Sequence, residues 1–211
     1  MKSKIKFYFL KLSVIIIIIF LLQLIFPAIT NMFVLNEKAI ENHEYWRFLT
    51  AIFLHGDITH LMYNLFALLF FGFTAERLIG SRRFLIVFFT TGILANIISV
   101  NFYPSSLGAS GAIYGILGCI TIISPLMIVW AFGLLMPMFL ATIIWVIADL
   151  MRIFGLFDPG NVGSIAHISG IFIGFLFGIL YRKLGQKKII NNRLQIPDNY
   201  ARSWEDRYMK L

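Results

Sequence analysis

Apolar runs of roughly 20 residues follow one another along almost the whole chain, and this constrains the fold more than any other feature. A helix needs about 20 such residues to cross hydrocarbon, because without water every backbone N–H and C=O must be bonded within the segment. Of the 211 residues, 59% are hydrophobic and 13% charged, and the mean hydropathy is +0.84, which excludes a soluble domain of ordinary composition. Six segments are long enough to cross, at about 12–30, 58–79, 84–102, 110–124, 127–149 and 163–181. The run from Leu12 to Ile29 is too long for a cleaved signal peptide and has no small-residue cleavage site after it, so it reads as a retained first span.

Lys and Arg sort to one side of these segments. Lys2, Lys4, Lys6 and Lys11 precede the first, Arg77, Arg82 and Arg83 lie between the second and third, and Arg182, Lys183, Lys187, Lys188, Arg193, Arg202, Arg207 and Lys210 follow the last, together 15 of the 18 basic residues. Loops facing the cytoplasm collect such residues, so these three regions belong inside and an even number of crossings separates Arg83 from Arg182. The uncharged stretch from Gly111 to Ala148 is then two spans, divided at Ser124 and Pro125, where proline ends a helix. The expected fold is an all-α bundle of six membrane helices with both termini cytoplasmic. Residues 1–183 form the membrane domain and 184–211 a polar, mixed-charge tail. The net charge of +8 belongs to the span ends, so the partner it implies is membrane lipid and not nucleic acid.

Polar groups at membrane depth are costly and turn toward the protein interior or a water-filled cavity. His55, His60 and Asn64 enter the second segment, Ser110 and Tyr114 the fourth and His167 the sixth, while Asp149 leaves the fifth. All fall toward the outer side. In this topology His60, Asn64, Ser110 and His167 share a depth of about 5 to 10 Å below the outer boundary, at roughly 1.5 Å of rise per residue. His60 and Asn64 are four apart, as are Ser110 and Tyr114, so each pair shares a helix face. Gly170, Gly174 and Gly178 open one side of the sixth helix to close approach. If its neighbour is the helix carrying Gly111, Gly115 and Gly118, Ser110 and His167 come within reach of each other.

A serine hydroxyl is a weak nucleophile until a base takes its proton, and histidine suits that task. The developing oxyanion needs donors, for which His60, Asn64 and the free N–H groups opening the fourth helix are candidates. No acid stands where it evidently orients His167, so the pair reads as a dyad and Asp149 as a helix-end polar group. His43 reads as solvated loop, Asp57 as a helix N-cap, and His55 as either structural support or part of the cavity. Cys119 is the single cysteine, a packing residue that permits neither an intramolecular disulfide nor a Cys-based metal cluster.

These residues fall in motifs. GASGAIYG (Gly108 to Gly115), AHISGIFIG (Ala166 to Gly174), HGDITHLMYN (His55 to Asn64), the Trp46–Arg47 pair and the Gly72, Glu76, Arg77, Gly80 pattern together resemble the rhomboid family of intramembrane serine proteases, over about residues 44–182. The resemblance implies Ser110 as nucleophile, His167 as base, Tyr114 packed against that histidine, and His60 with Asn64 at the oxyanion. It further implies that Trp46 sits in an outer-leaflet loop, that substrates are single-span membrane proteins cut at a helix-breaking site after a small residue, and that no metal or cofactor takes part.

Other classes fit less well. A catalytically inactive relative acting as a binding factor would want Ser110 or His167 missing. A transporter would show inverted repeats or midplane charges. An intramembrane metalloprotease needs HExxH, whereas the residues from His55 to His60 have another spacing and no glutamate between the histidines. The bare six-span core points to a prokaryotic-type plasma membrane with the site open to the outer face; the sequence carries no signal for oligomeric state.

Overall fold

The computed structural model describes residues 5–156, 163–191, 199–200 and 207–208, so most of the expected tail lies outside the described residues. The chain opens with α1 (Tyr8–Ile25), the short α2 (Ala28–Phe33), α3 (Lys38–Glu41) and α4 (Arg47–Thr50). Next come α5 (Ile58–Ala67), which runs through a π-helical turn at Leu68–Gly72 into α6 (Phe73–Ile79), then α7 (Ser81–Ser99), α8 (Ser110–Ile123), α9 (Met138–Ile153) and α10 (Ser164–Asn191). The described residues also hold two antiparallel strand pairs: β1 (Leu35–Asn36) with β2 (Ser105–Ser106), and β3 (Ile128–Ala131) with β4 (Leu134–Pro137).

Among the described residues four helices are long and apolar enough to cross a membrane, Tyr8–Ile25, Ile58–Ile79, Ser81–Ser99 and Ser164–Lys183. The shorter apolar α8 has 14 residues, about 21 Å of helix. The first span starts earlier than expected, at Tyr8, and ends at Ile25, because Pro27 breaks the helix and restarts it as α2.

The fifth segment needs a correction. A helix from residue 127 was the expectation, yet residues 128–137 form a β-hairpin and the helix begins only at Met138. The reason is local. Phe132 (φ 54°) and Gly133 (φ 80°) both take positive φ, the pair of conformations a two-residue hairpin turn requires, and Ile128, Val129 and Trp130 favour strand. Val129, Ala131 and Met136 turn inward to the core while Ile128, Trp130 and Leu135 face outward. Pro137, extended at φ −62° and ψ 144°, then stands before the first turn of α9.

The core is organised around α8, eleven of whose residues are buried, leaving it enclosed between α7 and α10. A Cβ on Gly170 or Gly174 would run into the carbonyl oxygen of Gly111 or Gly115, and one on Gly118 into that of Ile171. The backbones of α8 and α10 therefore touch. On the other flank Gly115 makes room for the Thr91 side chain of α7, and Gly111 for Ala95, where an added Cβ would come within 2.9 Å. Thr121 of α8 and Thr142 of α9 share a buried hydrogen bond of 2.7 Å.

The bundle's opposite end is tied by Glu76, which is fully buried. Its carboxylate accepts the Phe9 N–H at 3.1 Å and the Ser81 hydroxyl at 2.6 Å, fastening the start of α1 to the α6–α7 turn. Gly174→Leu is expected to force α8 and α10 apart and to cost about 1–3 kcal/mol or more. Thermal unfolding in detergent checks this against Gly163→Ala, where the new Cβ meets only Ala166 at an ordinary 3.8 Å.

Candidate active site

The starts of α5, α8 and α10 converge with the last turns of α9. At α5, the Asp57 carboxylate accepts the His60 N–H at 2.7 Å, the N-cap read from the sequence. That fixes the first turn carrying His60. Asn64, one turn on, is buried and donates its Nδ2 to the His60 carbonyl at 2.9 Å. One Nδ2 proton remains for another acceptor.

Gly108 lies against the His60 ring. It holds φ at +119°, and a Cβ there would lie 2.8 Å from His60 Cε1 and Nε2, so both backbone and space require glycine. Its N–H bonds the Ala51 carbonyl at 2.9 Å, seating the loop that leads into α8. That helix opens with Ser110. Its first-turn N–H groups, preceding the Ile113 to Ala109 bond, have no intrahelical acceptor.

His167, in the first turn of α10, is buried. The Tyr114 ring stacks on its imidazole with centroids 4.0 Å apart and planes 11° from parallel. Ser110 precedes Tyr114 by one turn on the same face of α8. Its neighbour Gly111 looks across to Ala166, next to His167, with the Ala166 carbonyl 3.7 Å from the position of an added Cβ. His167 Nδ1 lies 3.1 Å from Asp149 Oδ2, and among the described residues neither its Nε2 nor the Ser110 hydroxyl has a hydrogen-bond partner.

Asp149 is the residue the sequence reading misjudged. Taken there as a helix-end polar group, it is fully buried and bound to His167, to the Ser164 hydroxyl at 2.8 Å and to Arg152 at 3.2 Å. Its partners come from two helices whose approach no spacing in the sequence reveals. Tyr103 went unnoticed for the same reason: its hydroxyl accepts the Ile165 N–H at 3.1 Å and caps α10.

His55 is buried beside His60, and neither of its ring nitrogens has a hydrogen-bond partner among the described residues. Only 2% of it is exposed, its ring stands edge-on to His60 with centroids 5.1 Å apart, and Gln23 clamps its backbone through bonds of 3.1 and 3.2 Å. Arg47 is buried too, bonded to Glu44 at 2.5 Å and to the carbonyls of Asn31 and Val34. Its neighbour Trp46 is half exposed, outside the cluster formed by Ser110, Tyr114 and His167. His43 is exposed and bonds Tyr45, as a loop residue would. Cys119 is buried in the core. Among the described residues no group of three His, Cys, Asp or Glu is arranged to hold a metal.

A serine one helix turn from the tyrosine that stacks on a histidine held on two sides, with amide, imidazole and backbone donors on the converging elements, has the parts for acyl transfer. Set in apolar helices, it defines an integral membrane protein with an intramembrane-protease type of fold. The chain belongs to the rhomboid family, whose Rhomboid domain profile matches residues 42–184. It is 39% identical over 144 residues to rhomboid protease GluP of Bacillus subtilis (strain 168), covering 66% of this chain and 27% of that one. With RHOMBOID-like protein 4 of Arabidopsis thaliana it shares 34% over 146 residues, 68% of this chain and 36% of the relative. With the putative rhomboid protease YdcA of Bacillus subtilis (strain 168) it shares 33% over 144 residues, 67% and 69%.

Burial, with the neighbouring His60 in second place, pushes the His55 pKa down from 6.5 to about 4. His55 is therefore neutral in the folded protein, while the unfolded chain takes up its proton below about 6.5. Stability should fall as pH drops from 6.5 toward 4. Thermal unfolding in detergent at pH 7 and pH 4.5 checks this: the wild-type midpoint should drop further than that of His55→Gln.

Proposed function

We propose that the protein is a serine endopeptidase that cuts peptide bonds in or beside the transmembrane helices of other membrane proteins. The observation that carries this is the stacking of Tyr114 on His167, one turn along α8 from Ser110. A packing histidine has no need of a ring holding its plane beside a serine at a helix start.

Ser110 Oγ attacks the scissile carbonyl carbon while its proton passes to Nε2 of His167. The carbonyl electron pair moves to oxygen, where His60, the second Asn64 proton and the first N–H groups of α8 stabilise the charge. Collapse breaks the C–N bond as His167 returns the proton to the leaving amine. Water, deprotonated by the same histidine, then hydrolyses the ester and frees Ser110. No step uses a metal or cofactor.

The chain crosses the membrane six times with both termini cytoplasmic, in a prokaryotic-type plasma membrane, and the site opens to the outer face. The distribution of Lys and Arg supports this orientation. Substrates are single-span proteins with a helix-breaking cleavage site, whose unwound backbone Ser110 can reach. The half-exposed Trp46 and its loop form the gate through which they enter.

Cleavage of a single-span substrate in liposomes tests the proposal. Wild type should cut within or beside the span, Ser110→Ala and His167→Ala should lose about 10⁴-fold or more, and Asn64→Ala about 10²–10³-fold. Equal cutting by all would remove the dyad. No cutting, together with no fluorophosphonate label on Ser110, would favour an inactive binding factor. A cross-link fixing the Trp46 loop to its neighbours should slow cleavage of the embedded substrate, and unchanged cleavage would discard the gate.

A further inference from the structure

We propose that Asp149 is the positioning residue of His167, holding the imidazole in its Nδ1–H tautomer so that Nε2 accepts the Ser110 proton. This rests on the protease reading and adds a third residue to the dyad.

Asp149 is an acid with no exposed surface, one turn before the end of an apolar helix. Both features oppose it: burial penalises the carboxylate, and the C-terminal end of a helix carries negative partial charge. Such a residue persists where its contacts compensate, and its contacts among the described residues include His167 itself and the first residue of its helix. Oδ1 accepts from the Ser164 hydroxyl at 2.8 Å and from Arg152 Nη1 at 3.2 Å, while Oδ2 faces His167 Nδ1 at 3.1 Å. An ionised carboxylate has no proton to give, so Nδ1 is then the donor to Oδ2. A neutral imidazole carries one N–H, so a proton fixed at Nδ1 leaves Nε2 bare.

The imidazole is held on both sides. Tyr114 of α8 packs on its face and fixes the ring plane; Asp149 of α9 binds its edge and fixes the rotation within that plane. Among the described residues the titratable and charged groups around it are Asp149 and Arg152 from α9, Tyr114 from α8 and His60 from α5. Of these, Asp149 alone bonds a ring nitrogen. When Nε2 takes the Ser110 proton, the resulting imidazolium lies directly against this carboxylate, so the charge is compensated as it forms.

The test uses the full-length protein, labelled with ¹⁵N at histidine, in bicelles, with His167→Ala to assign the signal. Wild-type His167 should show the Nδ1–H tautomer, and Asp149→Asn should move it toward Nε2–H. In parallel, cleavage by Asp149→Asn should lose about 10²–10⁴-fold in kcat with KM little changed, and Asp149→Glu should recover part of that loss. Asp149→Asn is compared only in samples whose thermal unfolding matches wild type; the wild-type spectrum decides the tautomer without any variant. An Nε2–H tautomer in wild type overturns the assignment, as does an Asp149→Asn protein with unchanged tautomer and kcat, while the protease reading stands. If wild type cuts nothing, the protease reading fails, and the spectra alone decide the positioning role.

Discussion

Backbone contact between α8 and α10 is the constraint on which the rest of this structure depends. Lipid tails are as apolar as leucine, so membrane helices gain little by hiding apolar surface from each other and associate through close packing and polar contacts. Here the carbonyls of Gly111 and Gly115 occupy the room that side chains on Gly170 and Gly174 would take. The approach sets the distance between the helix that begins with Ser110 and the one whose first turn carries His167. Stacking of Tyr114 on His167 exists only at that separation.

A second constraint comes from polar groups buried in an apolar bundle. Several strongly polar side chains have partners that also join separate elements: Glu76 ties α1 to the α6–α7 turn, Arg47 ties α4 to α2 and the residue after it, and Thr121 ties α8 to α9. Satisfying a buried group and fixing the position of a helix are thus the same act. Asp149 follows the rule at the site itself, joining α9 to α10 through Ser164 and His167.

Much of this was legible from residues alone. Repeating 20-residue apolar runs, helix-spaced pairs such as His60 with Asn64 and Ser110 with Tyr114, and the glycine series of α10 depend only on local period and composition. Asp57 capping α5 is equally local, since cap and capped N–H lie three residues apart. The hairpin at residues 128–137 escaped because an uncharged apolar run suits a buried strand as well as a helix, and the turn signal at Phe132 and Gly133 is weak beside the hydropathy.

What the sequence determined by itself was the membrane environment, the one-sided distribution of basic charge, and which residues could do chemistry, because these follow from side-chain identity and spacing along one helix. Only the tertiary structure decided which of them meet. Asp149 against His167, Tyr103 capping α10, and Gln23 clamping His55 join residues 18, 62 and 32 positions apart. Contacts across such separations depend on how helices pack and at what depth, and those quantities emerge only once every helix has found its neighbour.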